Sequence, residues 1–280
     1  MTETTRIETG AAAISRAFAR AKAQRRCALV TYLTVGWPTP ADTRGLAMAL
    51  EAGGADVIEL GVPFSDPVAD GATIQRAAHA ALQAGVTPRA CIETVADLRA
   101  AGLATPVLLM GYANPIVRYG LRDWVADCVA AGVDGLIVPD LPPEEALPLR
   151  AECTRRGMAV VFLVAPTTPP ARLARIATAT QGFLYVVSRL GTTGAEGERE
   201  GMEIGDEARE ALRAQLALAR AVSPAPVAVG FGLSRPEQVG ALAPLADGVI
   251  VGSAVVARAV EGPAALQAYV ASLRAATACN

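Results

Sequence analysis

The chain contains a single histidine, and its five cysteines form no Cys-x-x-Cys pair. The histidine, His79, falls in the Ala-rich helical stretch Gln75–Gln83. A Ser-His-Asp triad needs its histidine beside a serine and an acid, and no Gly-x-Ser-x-Gly elbow exists to supply the serine. His79 therefore reads as structural or solvent-facing, and proton transfer falls to carboxylates, Tyr, Lys or Cys. Cys27, Cys91, Cys128, Cys153 and Cys279 are odd in number and far apart, which excludes a disulfide framework or a zinc site and fits a reducing cytosol. No apolar run reaches the ~18 residues of a membrane span. The first residues, Met-Thr-Glu-Thr-Thr-Arg-Ile-Glu, are polar and partly acidic, unlike a signal peptide, so a cytoplasmic location is expected. The net charge is -2 and the isoelectric point about 5.6. Basic residues are scattered, and short pairs such as Arg25-Arg26 and Arg155-Arg156 read as solvated helix faces. Nothing favours nucleic acid or an anionic membrane as a partner.

What is present is a long alternation. The 280 residues are 52% hydrophobic and 19% charged, which suits one large domain, or two small ones, with a sizeable core. Short runs rich in Val, Ile and Leu predict strands at Ala28–Val35, Asp56–Gly61, Pro106–Tyr112, Asp134–Val138, Met158–Val164, Phe183–Val187, Pro226–Gly230 and Gly248–Val251. Amphipathic, Ala-rich stretches between them predict helices, among them Thr39–Ala52, Thr87–Ala101, Leu121–Ala131, Pro142–Arg156 and Asp206–Val222. Several close on Ala-Gly pairs. The strands are apolar throughout rather than alternating, which marks parallel strands covered on both faces. Eight strand–helix units without a linker predict an α/β fold: a single (β/α)8 TIM barrel spanning residues 1–280. An extra N-terminal helix at Ala11–Ala23 is expected to plug its N-terminal end. An open, doubly wound sheet is the alternative.

In such barrels chemistry lies at the C-terminal ends of the strands. There the segment from Asp56 to Gly71 stands out. Glu59 sits inside an apolar strand, where an unpaired charge is costly. It reads either as a buried partner of an Arg or Lys, or as a general acid/base tuned by partial burial. Asp70, before Gly-Ala-Thr-Ile-Gln, is either a helix N-cap or part of the site. Asp66, before Pro67, fits turn chemistry equally well. Three late loops are glycine-rich: Ser188–Gly194, Gly230–Ser234 and Gly252-Ser253, the last read as opening the final helix. Either these glycines turn tight corners, or their bare backbone cradles a phosphate. Gly-Phe-Gly-Leu-Ser lacks the third glycine of a dinucleotide fingerprint.

The run Glu59-Leu-Gly-Val-Pro-Phe-Ser-Asp-Pro-Val-Ala-Asp-Gly71, with Ile74-Gln75, closely resembles the signature of the tryptophan synthase alpha chain family. The resemblance continues through Tyr32–Gly36, Met110–Pro115, Val133–Pro142, Gly230–Ser234 with Pro236-Glu237-Gln238, and Gly252-Ser253-Ala254. It implies cofactor-free and metal-free retro-aldol cleavage of indole-3-glycerol phosphate to indole and glyceraldehyde 3-phosphate. By that resemblance Glu59 is the main acid/base and Asp70 accepts the indole N–H. Tyr185 lies near Glu59, and the indole ring sits among Tyr32, Met110, Ile137, Leu163 and Phe231. Gly194, Gly232, Gly252 and Ser253 bind the phosphate, and Thr193 helps close the site. Pro63 and Asp66 face a pyridoxal-phosphate-dependent beta chain, which receives the indole for L-tryptophan synthesis in an alpha2beta2 tetramer. The chain departs from the family in loop 6, where Thr192 replaces the usual valine and the stretch Ala195–Gly205 is longer and more charged than expected. Trp37 also departs from the commoner Asp or Tyr. Two rival functions remain: a stand-alone lyase releasing free indole, supported only by the altered loop 6, and a non-catalytic allosteric partner of a beta chain, against which the retained carboxylates and phosphate loops argue.

Overall fold

The computed structural model describes residues 10–188, 206–230 and 232–279. Among them, nine parallel strands form one sheet: β1 (Ala28–Thr34), β2 (Val57–Gly61), β3 (Val107–Met110), β4 (Gly135–Ile137), β5 (Ala159–Val161), β6 (Leu163–Val164), β7 (Leu184–Val187), β8 (Val227–Gly230) and β9 (Gly248–Val251). β1 pairs with both β2 and β9, so the first and last strands meet. β5 and β6 are one predicted strand interrupted at Phe162. There the Phe162 N–H turns aside to Thr180 Oγ1 (3.0 Å), while its carbonyl still accepts the Tyr185 N–H (3.1 Å). The ring closes through that residue into a (β/α)8 barrel.

The surrounding helices are α1 (Ala11–Ala23), α2 (Thr43–Ala52), α3 (Ala72–Gln83), α4 (Pro88–Ala100), α5 (Ala113–Tyr119), α6 (Leu121–Ala131), α7 (Leu147–Arg155), α8 (Pro170–Ala179), α9 (Asp206–Val222), α10 (Pro236–Leu242), α11 (Ser253–Arg258) and α12 (Pro263–Ala275). Three differences from the sequence reading have local causes. α7 begins at Leu147 rather than Pro142, because the chain first makes a turn in which Ala146 N–H bonds the Pro142 carbonyl. α5 was not anticipated; its Pro115 lies in the first turn, where the missing N–H costs nothing. Gly252-Ser253 opens α11, not the final helix, since a 3-10 turn at Ala259–Glu261 and Gly262 (φ 90°) separate α11 from α12.

Burial explains the unbroken apolar strands. Ala28, Val30 and Tyr32 of β1 face the barrel interior with Val57, Leu108, Met110, Ile137, Val161, Tyr185, Ala228 and Ile250. The intervening Leu29, Leu33, Ile58, Leu60, Leu109 and Val249 pack outward against the helices. The two-residue period thus survives although both faces are apolar. The floor is α1: Ile14 and Phe18 enter the interior cluster, with the Phe18 and Phe183 ring centroids 5.4 Å apart. Gly248 makes room for it, since a Cβ there would lie 2.8 Å from the Phe18 ring.

Candidate active site

The two-residue period decides where Glu59 points. Val57 faces inward and Ile58 outward, so Glu59 faces inward too, in register with Tyr32 on β1 and Leu108 on β3. The residue is 1% exposed, and its Oε1 has no hydrogen-bond partner. Burial alone raises its carboxyl from 4.5 to about 8.

The contrast with the other buried carboxylates of the barrel is informative. Asp56 forms a fork with Arg26 (2.5 and 2.7 Å) and accepts the Leu29 N–H (2.9 Å). Asp134 binds Arg99 (2.6 Å) and the Val107 N–H (2.7 Å). Asp247, less deeply buried, accepts the Val227 N–H (2.9 Å). Each stands just before one strand and caps the first N–H groups of the strand preceding it, all at the N-terminal end of the barrel. These are structural ties. Among the described residues Glu59 has no ion partner, so the alternative of a paired, structural glutamate is not what the fold builds.

Around Glu59 the strand ends supply phenols in place of apolar contacts. The Tyr32 hydroxyl lies directly over Gly61, where a Cβ would come within 1.9 Å of it, and it accepts a hydrogen bond from Thr34 Oγ1 at 3.4 Å. The Tyr185 hydroxyl lies over Gly230 in the same way, 2.8 Å from where a Cβ would be. Burial pushes both phenols well above their ordinary range, and the nearby carboxylates Asp70 and Glu59 push further. Both tyrosines therefore stay protonated and can act as donors.

Asp70 lies at the far end of the β2–α3 loop, two residues before α3, and is half-buried. Its carboxyl caps no helix in the structure: the N-cap of α3 is Gly71, without a side-chain bond. Burial raises Asp70 from 3.8 to about 6, while a hydrogen bond from Tyr112 opposes the rise. Tyr112 was not singled out from the sequence, although it lies within the Met110–Pro115 segment that carried part of the resemblance. Its hydroxyl also accepts the Ala69 N–H at 3.0 Å. The two candidate carboxylates thus differ in environment: Glu59 is neutral near pH 7 and Asp70 ionised.

Of the other residues picked out from the sequence, Met110 and Ile137 are buried inside the barrel and Leu163 is partly buried against the same cluster. With Tyr32 and Tyr185 they belong to one interior cluster. Gly232 (φ 76°) and Gly252 follow the neighbouring strands β8 and β9, and Ser253 is the first residue of α11. A Cβ on Gly252 would meet nothing closer than 3.6 Å. The open space over its backbone leaves room for an anion to approach. Thr193, Gly194 and Phe231, and the altered loop 6, lie outside the described residues. In the β2–α3 loop Pro63 is buried and Asp66 exposed, the latter bonded to the Ser65 hydroxyl. His79 is exposed on α3. Among the described residues, no group of three or more His, Cys, Asp or Glu side chains is placed to hold a metal ion, and no helix is long and apolar enough to cross a membrane.

A family model described as tryptophan synthase alpha chain matches residues 18–278. The chain belongs to that family. The alpha chain of Chloroflexus aggregans is 49% identical over 249 residues, covering 88% of each chain. That of Burkholderia multivorans is 44% identical over 94% of this chain and 96% of its own. Among solved structures, a Mycobacterium tuberculosis tryptophan synthase chain superposes with a TM-score of 0.86 at 38% identity, covering 98% of this chain and 100% of that one. The alpha subunit of Legionella pneumophila does so with a TM-score of 0.84 at 36% identity over 95% and 98%. As a tryptophan synthase alpha chain, the protein is a lyase of tryptophan biosynthesis that cleaves indole-3-glycerol phosphate to indole and glyceraldehyde 3-phosphate. Alpha chains of the family are cofactor-free, and its members partner with a beta chain. Neither the stand-alone lyase nor the non-catalytic partner is favoured by these matches.

Proposed function

We propose that Glu59 and Asp70 carry the cleavage as an acid/base pair with separate tasks. The indole ring is an enamine, and its C3 must gain a proton before the bond to the glycerol chain can break. Glu59, neutral near pH 7, gives that proton. The resulting carboxylate then takes the proton of the hydroxyl on the departing carbon. The C–C bond electrons return to the ring, the carbon becomes an aldehyde, and Glu59 ends protonated as it began. Positive charge reaches the ring nitrogen while C3 is protonated. Asp70, ionised above pH ~6 and accepting the N–H, stabilises it in a site with little water.

Tyr32, Met110, Ile137, Leu163, Tyr185 and Phe231 form the slot for the flat ring. Gly194, Gly232, Gly252 and Ser253 hold the phosphate, and Thr193 closes the loop over it. The observation that carries this reading is a buried glutamate pointing into the barrel with no cationic partner among the described residues. Such a charge site costs stability and persists where chemistry needs it.

The chain works in the cytoplasm with a pyridoxal-phosphate-bearing beta chain, in an alpha2beta2 tetramer that hands indole across the interface. Asp66 and Pro63 shape that face. In support, the largest exposed apolar side chains include Val68 (83% exposed), Val117 and Leu147, which follow the neighbouring strands β2, β3 and β4 on one side of the barrel mouth. The test is cleavage of indole-3-glycerol phosphate with and without an added beta chain. Slow turnover alone and much faster turnover with the beta chain is expected. Fast turnover unaffected by the beta chain would show a stand-alone lyase, and none in either assay a non-catalytic partner.

A further inference from the structure

Tyr112 sits just beyond β3, with its ring buried against Phe64 (centroids 5.3 Å apart). Its hydroxyl oxygen accepts the Ala69 N–H at 3.0 Å. A phenol that accepts from a backbone amide keeps one proton to give, and the group hydrogen-bonded to it is the Asp70 carboxyl. Ala69 and Asp70 are consecutive. One phenol, fixed by ring packing, therefore grips both the backbone and the carboxylate of the same turn. Elsewhere in that loop the Asp70 N–H bonds the Pro67 carbonyl at 3.1 Å, Gln75 Nε2 bonds the Asp70 carbonyl at 2.9 Å, and Ser65, Asp66 and Val68 are exposed.

We propose that Tyr112 is a positioning residue for Asp70, holding its carboxylate ionised and aimed into the barrel mouth. This rests on the reading of Asp70 as the acceptor of the indole N–H. Were the tyrosine only a wall of the ring slot, phenylalanine would serve equally well, because ring and packing are the same.

Tyr112→Phe keeps the ring and deletes only the hydroxyl. Losing a hydrogen bond to an anion makes the carboxylate easier to protonate, so the acid limb of kcat/KM for indole-3-glycerol phosphate should rise from about 6 to roughly 7. Activity of the full-length variant should then fall roughly fivefold at pH 6 and less than twofold at pH 7.5. An unmoved acid limb overturns the inference, as does a uniform loss at every pH, which would mark a merely structural role. Asp70→Asn is measured in parallel. If it retains turnover, the reading of Asp70 itself fails. If it is inactive while Tyr112→Phe keeps the wild-type limb, only the role of Tyr112 fails.

Discussion

Replacing Glu59 by glutamine should stabilise the protein, by an amount that depends on pH in a set direction. Glutamine has the shape of the protonated carboxyl but cannot ionise. In the native chain the carboxyl titrates at about 8, against 4.5 when exposed. Between those values the folded state holds a proton that the unfolded state has released. Unfolding then releases a proton, so stability falls as pH rises from 4.5 to about 8 and is flat above. Each pH unit in that window is worth about 1.36 kcal/mol. At pH 7 the wild type is therefore destabilised by about 3 kcal/mol relative to its own neutral form, and at pH 4 by almost nothing. Urea unfolding of wild type and Glu59→Gln at pH 4, 7 and 9, followed by circular dichroism, reads the difference directly. The expected pattern is equal stability at pH 4, a variant about 3 kcal/mol more stable at pH 7, and a somewhat larger gap at pH 9. A variant less stable at pH 7 would mean that Glu59 has a favourable partner and that the reasoning from its isolation is wrong.

Removing a structural carboxylate should instead destabilise the fold. Asp134→Ala removes the acceptor of the Val107 N–H and the counter-charge of Arg99, which keeps only the Gly132, Leu103 and Thr105 carbonyls, and should cost about 3–5 kcal/mol, with kcat unchanged wherever the variant is folded, as checked by denaturation beside steady-state kinetics. Gly61→Ala drives a methyl into the Tyr32 hydroxyl and should lower both activity and stability, the latter by about 1–3 kcal/mol in thermal melts. Gly252→Ala should raise KM roughly tenfold in steady-state kinetics by blocking the approach of the phosphate. For the wild type, kcat/KM against pH should be bell-shaped, falling below about 6 as Asp70 gains a proton and above about 8 as Glu59 loses one.

The barrel was legible because burial on both faces leaves a direct trace: short unbroken apolar runs, such as those holding Val57-Ile58 and Val107-Leu108-Leu109, recur between amphipathic stretches and mark covered parallel strands. The break at Phe162 was not, because an apolar residue diverts its N–H to a threonine eighteen positions on. Glu59 was legible as an oddity, but its role was not. Asp56 and Asp134 also stand at the start of apolar strands, and in sequence all three are carboxylates beside Val, Ile or Leu. Only the fold shows that the two aspartates meet arginines at the barrel floor, whereas Glu59, further along its strand, meets none among the described residues. Tyr112 escaped notice for a similar reason, since its partner Asp70 is far away in sequence and reaches it only through the neighbouring loop.

The central claim is that Glu59 moves the protons of the cleavage. The most direct test is single-turnover cleavage of indole-3-glycerol phosphate by Glu59→Gln with the beta chain present, alongside binding of the same substrate. The account predicts intact binding and no indole released. Indole formed at a rate near that of the wild type would contradict it.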